Sequence, residues 1–559
     1  MRSKRPTIAC ALVTLALLGA ACSSSKKSAP ASSSTVTGGG SASGTPAPTT
    51  TAALTPKAGG NLVMGTEAEI DGFDPTKNRW DVTGYMYADS VYDPLAAFGA
   101  DNKVHPYLAE SITPNADYTQ WKIKVRPNVT FSNGDPVTGD TIVKDLTAIK
   151  AAALTGQVYD NIASIAVDPS DASGMTALVT CTTPWVPFPI YLTGQAGVVF
   201  DPKMLTDPNS AQHPIGTGPF ILKEWVPGNH FIATKNPNYW QKGLPYLDSV
   251  EFRPILETTS RDNSVASGTI DIMHSSDPQT RQDLKGNKGV QIITDAAAKG
   301  EVEEEFVMLN TGKPPLDDVT IRQALAYATD RNRYNQIINY GLVPDSTGPF
   351  GNPGSPFHAD TGYPSYDLTK AKALVAQYEQ AHHVTSVSFE LGTTNNARNL
   401  QTVSLLQSMW GQAGITVTIK QVEQSQFILL ALEGKYDAYT WRQFGEPDPD
   451  ADYIWWSSTT ALAEGKLALN FSRNKDPQID ADLLKGRTSA DPATRAAAYE
   501  DIASQFAKDV PFVWTNETVW TIAAKTNVQG ILQWTLPDGT PGVDHTIGGA
   551  FSMAHVWVG

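Results

Sequence analysis

The chain has 559 residues, 41% hydrophobic and 18% charged, with 44 Gly and 38 Pro. At ~100–200 residues per domain that length suits three or four compact units, and the mixed composition excludes collagen, coiled coil and wholesale disorder. The formal charge is −15, but the first 58 residues hold six cations and no anion, so residues 59–559 carry −21. A body that acidic is repelled by phosphate backbones, which argues against nucleic acid as a partner.

Arg2, Lys4 and Arg5 form a basic start, Ile8 to Ala21 is a short apolar stretch, and Gly19, Ala20 and Ala21 precede Cys22. This pattern predicts an export signal over residues 1–22. A Cys directly after small residues resembles a bacterial lipobox, whose thiol receives diacylglycerol, although Gly19 stands where Leu or Val is more usual. The plainer reading is an ordinary secretory signal with Cys22 incidental. Residues 23–58 are almost entirely Ser, Thr, Gly, Ala, Pro and Lys and have little to bury, so they read as a disordered tether. A flexible segment of that length spans roughly 30–36 Å on average. Cys10 lies in the signal, and Cys181 stands alone in the apolar run from Ala177, the setting of a buried, inert thiol. No apolar run reaches the ~18–20 residues of a spanning helix.

In the body, Gly59 to Gly65 opens like a buried strand. Trp121, Ile123 and Val125 alternate with Lys122, Lys124 and Arg126, the period of a half-exposed strand. Asn133-Gly134-Asp135-Pro136 supplies turn chemistry, and 141–152 reads as a helix. Helices are predicted over 321–340, stopping at Gly341, over 369–381 and over 398–411. Gly414 then leads into Ile415, Val417 and Ile419, a helix–cap–strand unit of an α/β layer. Asp491-Pro492 opens a last helix through Ala507.

Motifs for chemistry are absent from the sequence: no His-Glu-x-x-His, no Gly-x-Ser-x-Gly and no phosphate-binding Gly-rich loop. Gly216-Thr217-Gly218 lacks the third Gly of a dinucleotide fingerprint. Glu446, Asp448, Asp450 and Asp452 alternate and offer four oxygen donors to Ca²⁺. Tyr453 and Thr459 stand where a calcium loop needs Gly and a bidentate acid, so solvated acids on a Pro-punctuated loop are expected instead. Glu301 to Glu305 likewise reads as a solvated edge. Neither a metal nor a cofactor is expected, nor an enzyme.

Read in order, the body resembles the peptide/nickel-type (family 5) extracellular solute-binding proteins of ABC importers, the group of dipeptide- and oligopeptide-binding lipoproteins. The strings that carry the resemblance are His105 to Ser111, Trp121 to Asp145, His213 to Phe220, Asn236 to Trp240, Leu244 to Asp248, Ser267 to Asp271, Leu309 to Asp318 and Ile321 to Leu325. The resemblance covers nearly all of 59–535. Most read as scaffold: the glycines at 216 and 218 permit tight turning, Tyr239 and Trp240 pack, and Arg322 pairs with Asp317 and Asp318.

The resemblance implies an α/β, two-lobed periplasmic-binding-protein fold (type II, cluster C-like) with an extra subdomain on lobe I. Lobe I would comprise 59–96 and 185–305, the extra subdomain 97–184, lobe II 306–520, and residues 521–559 would return to lobe I. It also implies that a small-molecule ligand is enclosed by hinge closure and delivered to the permease and ATPase subunits of an importer. The protein would be a monomer held to the outer face of the cytoplasmic membrane by a lipid on Cys22. In the family's peptide binders an Asp three places after a Trp anchors the ligand's ammonium; here that place is Phe444, and Glu446 is the substitute if the loop is one residue shorter. Trp441 and Arg442 are expected in the cleft, with Tyr85 and Met86 at its mouth and Asn395 and Asn396 at a loop end. The ligand is expected to be a di- or oligopeptide. An oligosaccharide or metal chelate stays open, as do a secreted hydrolase and an envelope scaffold that no longer transports.

Overall fold

The computed structural model describes residues 55–559 apart from 79, 154, 295–302, 352, 446, 533 and 544–547. The expected export signal, Cys22 and all but the end of the expected tether fall outside the described residues, as does Glu446.

Two sheets organise the body. The first has seven strands in the order Phe220–Val226, His230–Lys235, Ser249–Pro254, Asn61–Thr66, Ile272–Ser275, Thr521–Lys525 and Val290–Thr294. Asn61–Thr66 runs parallel to both of its neighbours, and Thr521–Lys525 pairs antiparallel on both sides. The second has five strands in the order Ile415–Val422, Val387–Thr394, Ala438–Gln443, Glu304–Leu309 and Phe512–Glu517. Each sheet builds its own apolar core. Leu62, Phe73, Tyr87, Phe231 and Phe252 belong to the first, and Phe306, Leu391, Trp410 and Trp514 to the second. The two cores define two α/β lobes.

A four-stranded antiparallel sheet, ordered Ala109–Pro114, Gln120–Val125, Thr176–Cys181 and Ile162–Val167, extends the first core, with helix Gly139–Ala151 against it. Trp121, Ile123 and Val125 are buried and Gln120 and Lys122 exposed, as the alternation predicts. Cys181 is a buried free thiol, and burial pushes its pKa up to about 11.

The chain passes between the lobes twice, once before Glu304–Leu309 and once between Phe512–Glu517 and Thr521–Lys525. The second passage meets the first at Glu303. Thr518 N–H donates to Glu303 O at 2.7 Å, and Trp520 Nε1 donates to the Glu303 carboxylate at 2.7 Å.

Helix caps follow the sequence. Asn396 accepts from Asn399 N–H at the start of Ala397–Gln412, and Asp491 accepts from Thr494 N–H before Pro492–Asp509. The helix expected over 321–340 is instead two, Val319–Ala328 and Arg331–Ile338. Asp330 breaks the run because its carboxylate caps the second helix at Arg333 N–H, 3.0 Å away. Arg322 does not pair with the acidic side chains of 317 and 318. Its guanidinium donates to the carbonyls of Leu316, Asp317 and Asp509 at 2.7–3.1 Å, tying a turn to a helix end.

The acidic loop is also not solvated. Asp450 is fully buried and accepts from Arg487 Nε and Trp185 Nε1, each at 2.9 Å, while Asp448 accepts from both Nη groups of Arg495 at 2.7–2.8 Å. Tyr191 OH also donates to Asp450, and Arg487 lies over the Tyr453 ring at 3.6 Å. Trp185 and Tyr191 belong to the first core, so this ion pair ties the second lobe to the first.

Candidate functional site

A cleft of about 1660 Å³ lies between the lobes. Its walls come from the ends of strands and the starts of helices. Helix Val82–Val91, opened by Asp81 accepting from Gly84 N–H, supplies Tyr85 and Asp89. The end of Ala438–Gln443 supplies Trp441 and Arg442, and the turn into Ala397–Gln412 supplies Asn395, Asn396 and Arg398.

Ion pairs bridge the cleft. Arg442 Nη2 is 3.4 Å from Glu67 and its Nε is 3.4 Å from Glu303, with the guanidinium 4.8 Å above the Trp520 ring. Burial alone would push the Glu67 carboxyl up; Arg442, Arg261 and a buried His274 outweigh it, aided by Ser276 N–H, and hold it at about 2. Glu303 shares the same arginine but is raised, because burial outweighs that attraction. A second bridge joins Arg398 to Asp277 at 3.6 Å and to Glu305 at 3.2 Å, with Asn339 Oδ1 accepting at 2.7 Å. Glu303 and Glu305 are therefore partnered walls of the cleft, and Glu304 is buried, which replaces the solvated edge expected for this run.

Of the residues expected at the site, Tyr85, Asn395, Asn396, Trp441 and Arg442 all line the cleft. Trp441 stacks on Phe427 at 5.5 Å, and its Nε1 donates to Gln443 at 2.8 Å. Phe444 touches the cleft, but its ring lies in the aromatic core, parallel to Phe306 at 5.2 Å and against Trp456 and Phe512. Met86 is 1% exposed and belongs to the first core, not the cleft wall: its neighbour Tyr85 takes the cleft-facing side of the helix. Tyr239 and Trp240, expected to pack, also donate to Asp93 at 3.0 Å each. Asp89, Asp93, Asp277 and Arg398 were not anticipated. The four-residue spacing of Tyr85 and Asp89 on one helix is the signal that would have found Asp89, whereas Asp93 lies beyond the helix end in a short strand. No group of His, Cys, Asp and Glu among the described residues could hold a metal ion, and no described helix is long and apolar enough to cross a membrane.

Two α/β lobes joined by paired passages, with a large cleft between them, have the form of a ligand-binding receptor. Residues 103–464 match the family model for bacterial extracellular solute-binding proteins, family 5 Middle. The chain belongs to that family, whose members serve ABC importers. The glutathione-binding protein GsiB of Salmonella typhi is 25% identical over 507 residues, covering 87% of this chain and 94% of the relative. The oligopeptide-binding protein AppA of Bacillus subtilis, solved with a nonapeptide, superposes with a TM-score of 0.77 at 21% identity, over 90% of this chain and 100% of that one. The binding protein AgaA of A. tumefaciens R10, solved with agropinic acid, gives 0.78 at 24% identity, over 89% and 99%. These structures share the two-lobed fold.

Proposed function

We propose that this receptor captures a di- or oligopeptide between its lobes and hands it to an importer's permease, working from the outer face of the membrane on a lipid at Cys22. The observation that carries the reading is the cleft. At about 1660 Å³ it exceeds the ~300–1,000 Å³ of an ordinary small-molecule pocket and suits an extended chain of several residues. AppA's nonapeptide and GsiB's glutathione are ligands of that kind. Trp441, Arg442 and Tyr85 are the contacts favoured on the two walls, with Asn395 and Asn396 at one end.

The mechanism is differential stability. Ligand contacts made to both lobes at once exist only in the closed form, so binding shifts the population toward it, and no bond is broken. A thermal-shift screen of the full chain against di- to pentapeptides, cello- and malto-oligosaccharides and nickel chelates tests the reading. At one hundred times the dissociation constant, a ligand of the native state adds ~2.7 kcal/mol. Stabilisation by peptides is expected. Stabilisation by sugars or chelates alone would overturn the ligand class and leave the receptor.

A further inference from the structure

The cleft's charge is lopsided. Among its described lining residues, twelve carboxylates face three arginines, with no lysine and no histidine. None of the arginines is spare: Arg261 faces Glu67, Arg398 faces Asp277 and Glu305, and Arg442 faces Glu67 and Glu303. An anionic ligand would have to displace a protein carboxylate and then sit among the others.

Asp89 stands apart from the paired acids. It lies one helical turn after Tyr85, and both side chains line the cleft. Its carboxylate accepts no hydrogen bond and joins no ion pair among the described residues. Behind it Asp93, 2% exposed, is fixed by Tyr239 OH and Trp240 Nε1. Tyr107 and Tyr239, with hydroxyls 3.3 Å apart, close this corner of the cleft. Burial and then the nearby charge of Asp93 push the Asp89 carboxyl up to about 7, as befits an acid that lacks a counter-charge.

We propose that the ligand supplies that counter-charge: a protonated amine or guanidinium other than a peptide's own α-ammonium seats on Asp89, beside Tyr85, Tyr107 and Tyr239, and Asp89 thereby selects ligands with net positive charge. The inference rests on the ligand-capture reading above and narrows its ligand to one bearing positive charge. Two carboxylates in a partly desolvated corner attract a cation more strongly than in water, and tyrosine faces add a cation–π contribution.

Calorimetric titration of the full chain with Ala-Ala-Ala, Ala-Lys-Ala, Ala-Arg-Ala and Ala-Glu-Ala tests it, with spermidine and agmatine as non-peptide cations. The expected result is at least tenfold tighter binding of the Lys or Arg peptide than of the Ala and Glu peptides, with the preference lost in D89N. Asp89→Ser serves as the second variant if D89N melts early. Equal affinities across the peptides, or a preference that survives both variants, would overturn the assignment while leaving a peptide receptor. Asp89-dependent binding of spermidine or agmatine without any peptide would uphold Asp89 and sink the peptide reading. Binding of none of these cations would overturn the inference.

Discussion

Arg442 and Glu67 lie 375 residues apart in the chain and 3.4 Å apart in space. One ends a strand of the second lobe and the other follows a strand of the first. This contact exists only while the lobes are together. Arg442→Met removes it and leaves Glu67 to Arg261 and Glu303 to Trp520. The ligand-free chain should expand, read as a larger radius of gyration by X-ray scattering, and lose about 1–3 kcal/mol against urea. Unchanged scattering would show that other contacts hold the lobes.

The Asp450–Arg487 pair should be the costlier one to break. Both groups are buried, and Trp185 and Tyr191 of the other lobe complete the carboxylate's shell. Asp450→Ala strands a buried guanidinium and should cost about 3–5 kcal/mol. Adding Arg487→Met should recover part of that loss. A double variant less stable than Asp450→Ala, by denaturant titration, would refute the account.

His274 gives a pH signature. It is fully buried against Trp520, and burial holds its pKa down at about 4 against 6.5 for the unfolded chain. The unfolded chain therefore takes up a proton that the folded chain refuses. This contribution is intact above pH 6.5 and drains away as pH falls to 4, by ~3 kcal/mol in all. Urea titrations at pH 7.5 and 4.5 should show wild type losing that much more than His274→Gln. Parallel losses would mean the histidine is protonated in the fold.

Gly218 tests a packing argument. A Cβ there would lie 2.4 Å from the Val91 carbonyl carbon, and one at Gly216 would lie 2.1 Å from the Val91 oxygen. Neither residue has a positive φ. The requirement is close approach of two backbones, so the tight turning expected of these glycines is not what fixes them. Gly218→Ala should cost at least about 2 kcal/mol, because backbone cannot rotate aside as a side chain can. A melting point within one degree of wild type, roughly 1 kcal/mol or less in a chain this size, would contradict this.

Local elements were legible because their causes are local. Caps such as Asn396 and Asp491 and the alternation from Trp121 to Val125 located helices and strands to within a few residues. Asp330 escaped notice because a capping carboxylate inside an amphipathic run looks like one more solvent-facing residue. The acidic loop misled for a different reason. Asp448 and Asp450 are neutralised by Arg495 and Arg487, which lie 47 and 37 residues away, and no local spacing records that. The cleft divides in the same way. Trp441 and Arg442 sit in a recognisable string, whereas Arg398 and Asp277 meet across the lobes and no local string records that.

Thr521–Lys525 sits inside the first sheet, between Ile272–Ser275 and Val290–Thr294, although it is nearly the last strand made. The order of synthesis and the order of assembly are therefore opposed. The amino-terminal lobe lacks an interior strand until residue 525 has emerged, by which time the second lobe's strands have all been produced. Pairings across such separations form slowly. The first sheet therefore stays open at its interior until almost the whole sequence is available.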